Sequence, residues 1–339
     1  MPNRPSRAPD KPEISVLMSV RDGAPFLQAT IDSLRAQTAS AVEFVVVDDA
    51  SSDSTPQILR DWAKQDPRLT VLRLDDAQAD GLAHALNTGL QYCRGNLIAR
   101  ADADDLYHPD RLQVQHDRMR SDAKLAALSC GFRKIDETGK VIGQRVPVTG
   151  SDKIAFVSLF QSSLLHPGAM IRADALTGIG GYDRRYWTAQ DSDLWARLIM
   201  AGGRIDNLPD LLVDYRIHGA SIMKKRGPEG RRLSLSVPTR MQLAYLEDAP
   251  ETHDAAAVVD LYQGQHLLDR ATLRRAFDGA ARIMKIARHR EPREAFDHVA
   301  SRFRKSLKVQ LDWCPKRNFV RTLELKRLLS HWTDMGASA

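Results

Sequence analysis

Three carboxylates stand within four residues at Asp102-Ala103-Asp104-Asp105. Packed so closely, they repel one another unless a cation sits among them. Mg²⁺ or Mn²⁺ suits such a set, because these hard ions take carboxylate oxygens and leave their other positions to substrate phosphates. The competing account is a helix start, since Asp favours a first turn and Pro109 follows. A second acidic pair, Asp48-Asp49, could cap a tight loop or accept hydrogen bonds from a base imide or ribose hydroxyls. Residue type alone does not separate its two members. Asp191 and Asp193 open the run QDSDLWARL, where they complement a helix dipole or supply a general base, Asp191. His218 closes YRIHG and reads equally as a strand-end histidine or as a ligand to metal or phosphate.

These groups need elements to hold them. Residues 14–20 (ISVLMSV), 42–47 (VEFVVV), 69–74 (LTVLRL) and 96–101 (NLIARA) are apolar or β-branched runs of strand length. Between them lie helical patterns. One opens at Pro25 and carries Leu27, Ile31 and Leu34; the next opens at Pro56 with Ile58, Leu59 and Trp62; the third is 81–93. Proline is well placed in a first turn, where its missing N–H costs nothing. Strands alternating with helices predict right-handed βαβ units and a parallel sheet. Ligands of such sheets bind beyond the carboxyl ends of the strands. Three ends are polar or acidic here: Arg21-Asp22, Asp48-Asp49 and Asp102 to Asp105.

The pattern changes after about residue 125. LAALSCGFRKID and GKVIGQRVPV predict an antiparallel hairpin turning at Glu137-Thr138-Gly139. Residues 166–172 (HPGAMIR) predict a short strand, 191–203 a helix stopped by glycines, and 211–219 a strand ending in His218. From about 230 the strand signals give way to helical spacing, as in Leu273, Phe277, Ala280, Ile283, Met284 and Ile286 among arginines.

Composition bounds the rest. At 339 residues, 43% hydrophobic and 27% charged, the chain has room for about two globular domains and is neither disordered nor collagen-like. Three scattered cysteines argue against a disulfide scaffold or Cys-rich zinc module and fit a reducing compartment. No run approaches the roughly 18 apolar residues of a membrane span. The Pro-rich, basic first dozen residues lack the apolar core of a secretory signal and are expected to be a disordered lead. Charge is unevenly spread: residues 224–339 hold 23 of the 49 Lys and Arg and 14 of the 43 Asp and Glu. That surplus is either a solvated helical surface or a contact for an anionic membrane. Basic-aromatic interleaving of a nucleic-acid motif is missing, so no nucleic-acid partner is expected.

Seven segments, in order, resemble glycosyltransferase family 2. They are SVLMSVRDGAPFLQATIDSLRAQT (15–38), VVVDDASSDSTPQIL (45–59), GLAHALNTGL (81–90), GNLIARADADDLYHPDRLQVQ (95–115), HPGAMIR (166–172), GGYDRRYWTAQDSDLWARL (180–198) and DYRIHGASIM (214–223). The resemblance implies a GT-A fold, an α/β class with a Rossmann-like mixed sheet, helices on both faces and a nucleotide-sugar site. It implies a division into 1–12, a lead; 13–223, the transferase domain; and 224–339, a basic helical region. It also implies roles. Asp49, with Asp48 beside it, would read the donor's base. Val20 and Asp22 would flank the nucleotide. Asp102 and Ala103 would lie along the ribose and sugar, and Asp104 would hold the metal with His218 completing those contacts. Asp191 would be the base. Gln190 stands where many relatives carry Glu, and Arg21 where they carry Pro or a small residue.

The expected reaction is inverting, metal-dependent transfer from a nucleotide-diphosphate sugar to a glycan or lipid-linked acceptor, in surface polysaccharide or glycolipid synthesis. The expected place is the cytoplasm, with peripheral contact at the inner face of the membrane. A transferase loading polyprenyl phosphate and a non-catalytic glycan-binding or assembly protein with a transferase-like core are the alternatives.

Overall fold

The computed structural model describes residues 11–219, 227–247, 251–265 and 269–313. Most of the N-terminal lead, the end of the seventh family-like segment and Cys314 lie outside the described residues.

The first strands form where the apolar runs predict them. β1 (Ile14–Val20) and β2 (Val42–Asp49) are buried almost throughout, as non-alternating runs of a parallel sheet must be. β3 (Leu69–Leu74) is half-exposed at the sheet's edge, and β4 (Leu97–Asp102) lies on the other side of β1. Helices α1 (Ala24–Arg35) and α2 (Thr55–Gln65) each start with proline in the first turn. Helix α3 (Gly81–Leu90) ends earlier than the sequence pattern suggests, because Tyr92 and Cys93 close a turn onto Gly89 and Leu90.

Alternation along the strands sends side chains to two faces. Val16, Met18, Phe44 and Val46 join Leu27, Ile31, Leu34, Leu59 and Trp62 in one core. Val47 and Leu74 instead pack with Ala85 of α3. At Gly89 of α3 an added Cβ would come within 2.5 Å of Leu17 and 2.8 Å of Val47, so only glycine lets this helix lie so close to the sheet. Full burial of a side chain such as Phe44 or Leu17 contributes about 1.5–3 kcal/mol.

The sheet runs β3-β2-β1-β4-β8-β6-β9-β5, with β7 paired to β6. β5 is Leu106–Tyr107, β6 Leu125–Ile135, β7 Val141–Arg145, β8 Met170–Arg172 and β9 Arg204–Arg216. Helix α4 (Arg111–Ser121) precedes β6. β1 to β4 are mutually parallel, β8 is antiparallel to both β4 and β6, and β6 and β9 run parallel. The predicted β6–β7 hairpin is present. Two other elements differ from the sequence reading. HPG (His166–Gly168) is a 3-10 turn with the strand only at Met170–Arg172, since Pro167 offers no N–H to a ladder. β9 begins at Arg204 rather than near 211, and His218 lies two residues beyond its end.

From β1 the chain moves outward through β2 and β3, then returns to place β4 on the opposite side of β1. This reversal is a topological switch point, where strand ends open a crevice. Register puts Val20 beside Asp48 and Ser19 beside Asp102, so the acidic strand ends sit on adjacent strands.

A second compact unit comprises 150–163 and the described residues from 231 onward. Segment 150–163, read in the sequence as part of the first domain, belongs here because its aromatic side chains pack among the helices. Its helix α5 (Ser151–Val157) is followed by Phe160, whose ring stacks on Tyr262 at 4.7 Å and meets Phe303 edge-on at 5.2 Å. Gln242 and Gln263 donate to the carbonyls of Leu159 and Phe160. The long helices are α8 (Gly227–Leu246), α9 (Ala255–Gln263), α10 (Arg270–Arg290) and α11 (Arg293–Trp313). On α10 the apolar stripe Leu273, Phe277, Ala280, Ile283, Met284 is wholly buried, and Arg274, Arg282, Lys285 and Arg288 are exposed.

Candidate active site

Four described non-glycine residues have left-handed backbone, and three lie in the loops around the strand ends: Asp22 (φ 50°), Ala50 (φ 56°) and Ala189 (φ 60°). Such strain costs about 1–3 kcal/mol per residue and persists where surrounding structure enforces it. The enforcing contacts are visible. Asp22 Oδ1 accepts from the Ser52 N–H at 2.7 Å, the Asp53 N–H at 3.3 Å and the Ser52 hydroxyl at 3.1 Å. The Ser52 N–H bond leads in holding the Asp22 carboxyl below the usual range, against a small cost of burial. Asp22 thus ties the loop after β1 to the loop after β2. Val20 is in the core, and a Cβ at Gly23 would lie 2.4 Å from its Cγ2.

The pair that the sequence could not separate is separated by its bonds. Asp48 is buried, accepts from the Ser51 N–H at 3.0 Å and pairs with Arg73 at 2.5 Å. Asp49 is 95% shielded from solvent, and its Oδ1 has no partner. Burial pushes the Asp49 carboxyl above the usual range, with Arg21 and His84 pulling it back and Asp48 and Asp80 adding to the rise. An orphaned buried acceptor calls for a donor to complete it.

The Asp102–Asp105 loop is pinned on several sides. Tyr107 Oη accepts from the Asp102 N–H at 2.7 Å and donates to its carbonyl at 3.2 Å. The Thr30 hydroxyl lies 3.0 Å from the Ala103 carbonyl and 2.8 Å from that of Asp105. Arg216 donates from Nε to the Asp104 carbonyl and from its main chain to Asp105 Oδ1, both at 2.8 Å. Beneath the loop the fully buried Arg100 pairs with Asp102 Oδ1 and reaches the carbonyl of Leu17 at 3.2 Å.

Carboxylate oxygens of Asp102, Asp104 and Asp105 lie within 4.8 Å of one another. Asp105 Oδ2 is buried without a partner. Desolvation raises the carboxyls of Asp102 and Asp105, and the neighbouring carboxylates add to it. This set fits a hard divalent cation, which would supply the missing partner and offset the repulsion. His218 Nε2 is 2.8 Å from Asp104 Oδ2, and its ring packs 5.1 Å from Phe26, over which Arg216 also lies. The structure therefore brings Asp104 and His218 together and sets beside them Asp105, a member of the acidic set to which the family resemblance gave no separate role.

Beyond the short helix α6 (Ala173–Gly178), helix α7 (Gln190–Met200) carries the fourth carboxylate. Its two early acids divide the work. Asp193 is fully buried and paired with Arg197 at 2.7 Å. Asp191 is half-buried in the first turn, near the Ser192 hydroxyl at 3.4 Å. Its charge is felt at Asp102, whose carboxyl it helps to raise, and at the half-buried Tyr215 phenol, raised first by desolvation and then by Asp102, Asp105, Asp104 and Asp191. Arg100, Arg216, Thr30, Tyr107 and His84 escaped the sequence reading, since a lone Arg or Tyr in a strand or helix has no spacing to mark it.

Known proteins give the same picture. The family model for glycosyl transferase family 2 matches residues 15–179. The chain is 31% identical over 216 residues to the amylovoran biosynthesis glycosyltransferase AmsE of Erwinia amylovora, covering 63% of this chain and 79% of that protein. It is 31% identical over 216 residues to the O-antigen biosynthesis glycosyltransferase WbnJ of Escherichia coli, covering 62% and 82%. Among solved structures, the mannosyltransferase PcManGT of Pyrobaculum calidifontis, in complex with GDP-Man and Mn²⁺, aligns over all of this chain and 91% of its own with TM-score 0.55 at 20% identity. That likeness establishes the fold, which is of the GT-A type. With these relatives over most of their length and the acidic strand ends in place, the chain belongs to glycosyltransferase family 2 and is a glycosyltransferase.

Proposed function

We propose that the enzyme transfers a sugar from a nucleoside-diphosphate donor to an acceptor hydroxyl with inversion, and that it needs a divalent cation. What supports this reading is the acidic set of Asp102, Asp104 and Asp105, whose carboxylate oxygens lie within 4.8 Å of one another, with Asp191 near enough for its charge to help raise Asp102. Asp49, with its orphaned Oδ1, would accept a hydrogen bond from the donor's base. Asp102 would lie along the ribose with Ala103 beside it, while Val20, Asp22 and Asp48 hold the strand ends in place. Asp102, Asp104 and Asp105 would hold Mg²⁺ or Mn²⁺, with His218 steadying Asp104. When bound, the cation supplies charge to stabilise the departing diphosphate. Asp191 would take the acceptor hydroxyl's proton as that oxygen attacks the anomeric carbon from the face opposite the leaving group. One base is enough for this geometry. Gln190 before Asp191 bears on how the acceptor fits.

The relatives' names point to amylovoran and O-antigen biosynthesis, so a surface glycan or a lipid-linked glycan is the acceptor we favour. No described helix is long and apolar enough to cross a membrane. The test is a thermal-shift screen of UDP, GDP and dTDP and their sugars, with and without Mn²⁺. A ligand at 100 times its Kd should stabilise the fold by about 2.7 kcal/mol. Metal-independent shifts, or none, would overturn the reading; the anomeric configuration of the product settles inversion.

A further inference from the structure

Trp187 is 44% exposed, whereas Trp62 and Trp195, the other tryptophans with described side chains, are 3% and 1%. A large apolar ring left in solvent forgoes substantial burial energy, so its display needs a reason. It is not a loose loop end. Tyr186 and Thr188 on either side are buried, and Ala189 is fixed in the left-handed turn that starts α7. Upstream, Asn87 clasps both the N–H and the carbonyl of Tyr182, at 2.9 and 2.7 Å, and the Tyr182 hydroxyl meets His166 at 2.9 Å. The charged side chains of the segment are already engaged, Arg184 with Asp80 and Arg185 with Asp183. A rigid backbone thus presents one aromatic surface.

Its place says what it meets. Trp187 is four residues before Asp191, at most about 14 Å along an extended chain. The reversal at Ala189 shortens that span. An acceptor whose hydroxyl reaches Asp191 brings its own ring and its neighbouring residues to this distance. Pyranose rings carry an apolar C–H face that stacks on indole, and aromatic walls with few polar groups are the usual lining of small-ligand sites. We infer that Trp187 is a stacking platform for a sugar ring of the acceptor, making the acceptor a glycan rather than a bare lipid phosphate. This rests on the proposed role of Asp191 as base.

The test uses the full chain labelled with ¹⁵N, with Trp187→Phe assigning the Trp187 indole N–H resonance. UDP, GDP and dTDP with Mg²⁺ are added first, then methyl glycosides of glucose, galactose, mannose, N-acetylglucosamine and N-acetylgalactosamine. At least one glycoside should move that resonance. Trp187→Ala should weaken its binding roughly three- to tenfold, Trp187→Phe less, and nucleotide affinity should hold in both. If nucleotides bind but no glycoside moves the indole, or if Trp187→Ala binds glycoside unchanged, the platform is wrong. If the Ala variant instead loses a dimer seen for the wild type in sedimentation, the ring belongs to a contact between copies and the inference is overturned. Failure of the wild type to bind any of the three nucleotides would sink the donor chemistry itself, and the platform with it.

Discussion

The two compact units treat charge in opposite ways. In the sheet unit, acids gather at adjacent strand ends, and two of them, Asp49 and Asp105, keep a buried oxygen without a partner. In the helical unit, charge is spread over exposed helix faces, and much of it is paired: Arg231 with Asp260, Arg275 with Asp254, Arg290 with Glu247, Lys153 with Glu294. Its interior is held by aromatic packing instead. Unsatisfied, crowded charge is costly to fold and marks a site that a ligand completes. Paired surface charge contributes about 0–1 kcal/mol per pair and marks nothing by itself. The difference is sharp enough to be broken by single substitutions.

The largest effect should come at Asp191. Asp191→Asn keeps size and removes the base, so turnover should fall by about 10²–10⁴-fold. Donor affinity should be retained, because the residue is assigned to the acceptor side. Single-turnover rates beside donor titration decide it, and an equal loss of donor affinity would make Asp191 a binding residue instead.

The helical unit should respond through stability. Phe160 is fully buried between Tyr262 and Phe303. Phe160→Ala should cost about 3–5 kcal/mol, the usual penalty for emptying an aromatic site. Denaturant unfolding followed by Trp fluorescence, with nucleotide binding measured in parallel, gives the result. Retained nucleotide affinity in a destabilised variant would confirm that the aromatic core and the acidic strand ends do different jobs.

Asp49 should give a smaller, pH-dependent effect. Its carboxyl is raised, chiefly by burial, so it takes up a proton at a higher pH than an ordinary carboxylate. A protonated Asp49 is a poorer acceptor for the base. Nucleotide affinity should therefore fall as pH drops from neutrality through the raised pKa. The stability sign is opposite: the folded state binds this proton more tightly than the unfolded chain, whose pKa is near 3.8, so Asp49's unfavourable contribution at neutral pH is relieved as pH falls through that window. Asp49→Asn should lower nucleotide affinity by about tenfold, the worth of a hydrogen bond to a charged group. It should also flatten the pH dependence of binding. Calorimetry between pH 7 and pH 4.5 tests both, and unchanged affinity in the variant would return the role to Asp48.

How much of this was legible in the residues depends on how local the signal is. Val16, Phe44 and Val46 announce buried parallel strands by themselves, and the acidic ends follow because the strands stop there. Asp48 and Asp49 look alike in sequence, and only Arg73, 24 residues beyond Asp49, tells them apart by pairing with one. Segment 150–163 looks like a continuation of the sheet unit because nothing in it signals that Phe156 and Phe160 pack with rings a hundred residues later. Arg216 ties the Asp102–Asp105 loop to the β6–β7 turn through the carbonyls of Asp104 and Asp136, contacts that any residue type at those positions would offer. Long-range partners of this sort have no spacing to read.

The smallest expected effect concerns the basic surplus of residues 224–339. The sequence sets Ile283, Met284 and Ile286 on one side of a helix with arginines around the other, the pattern of a helix that lies in a membrane interface. The structure removes half of that device. Ile283 and Met284 are buried and Ile286 is half-buried, so α10 keeps no continuous apolar face to enter a bilayer. Arg282, Lys285, Arg288 and Arg290 remain exposed, and Arg290 is held by Glu247. Attraction to an anionic surface is then purely electrostatic, about 1 kcal/mol for each cation close to it. Such binding is expected only with acidic lipid and only at low salt, since the Debye length falls from about 10 Å at 0.1 M to about 3 Å at 1 M. Vesicle flotation across that range should show weak recovery that vanishes with salt, and Lys285→Glu with Arg288→Glu should abolish it. Flotation that persists at 1 M salt would mean that apolar surface outside α10 inserts. Absence of flotation with acidic vesicles at low salt would leave these cations as a solvated helix face.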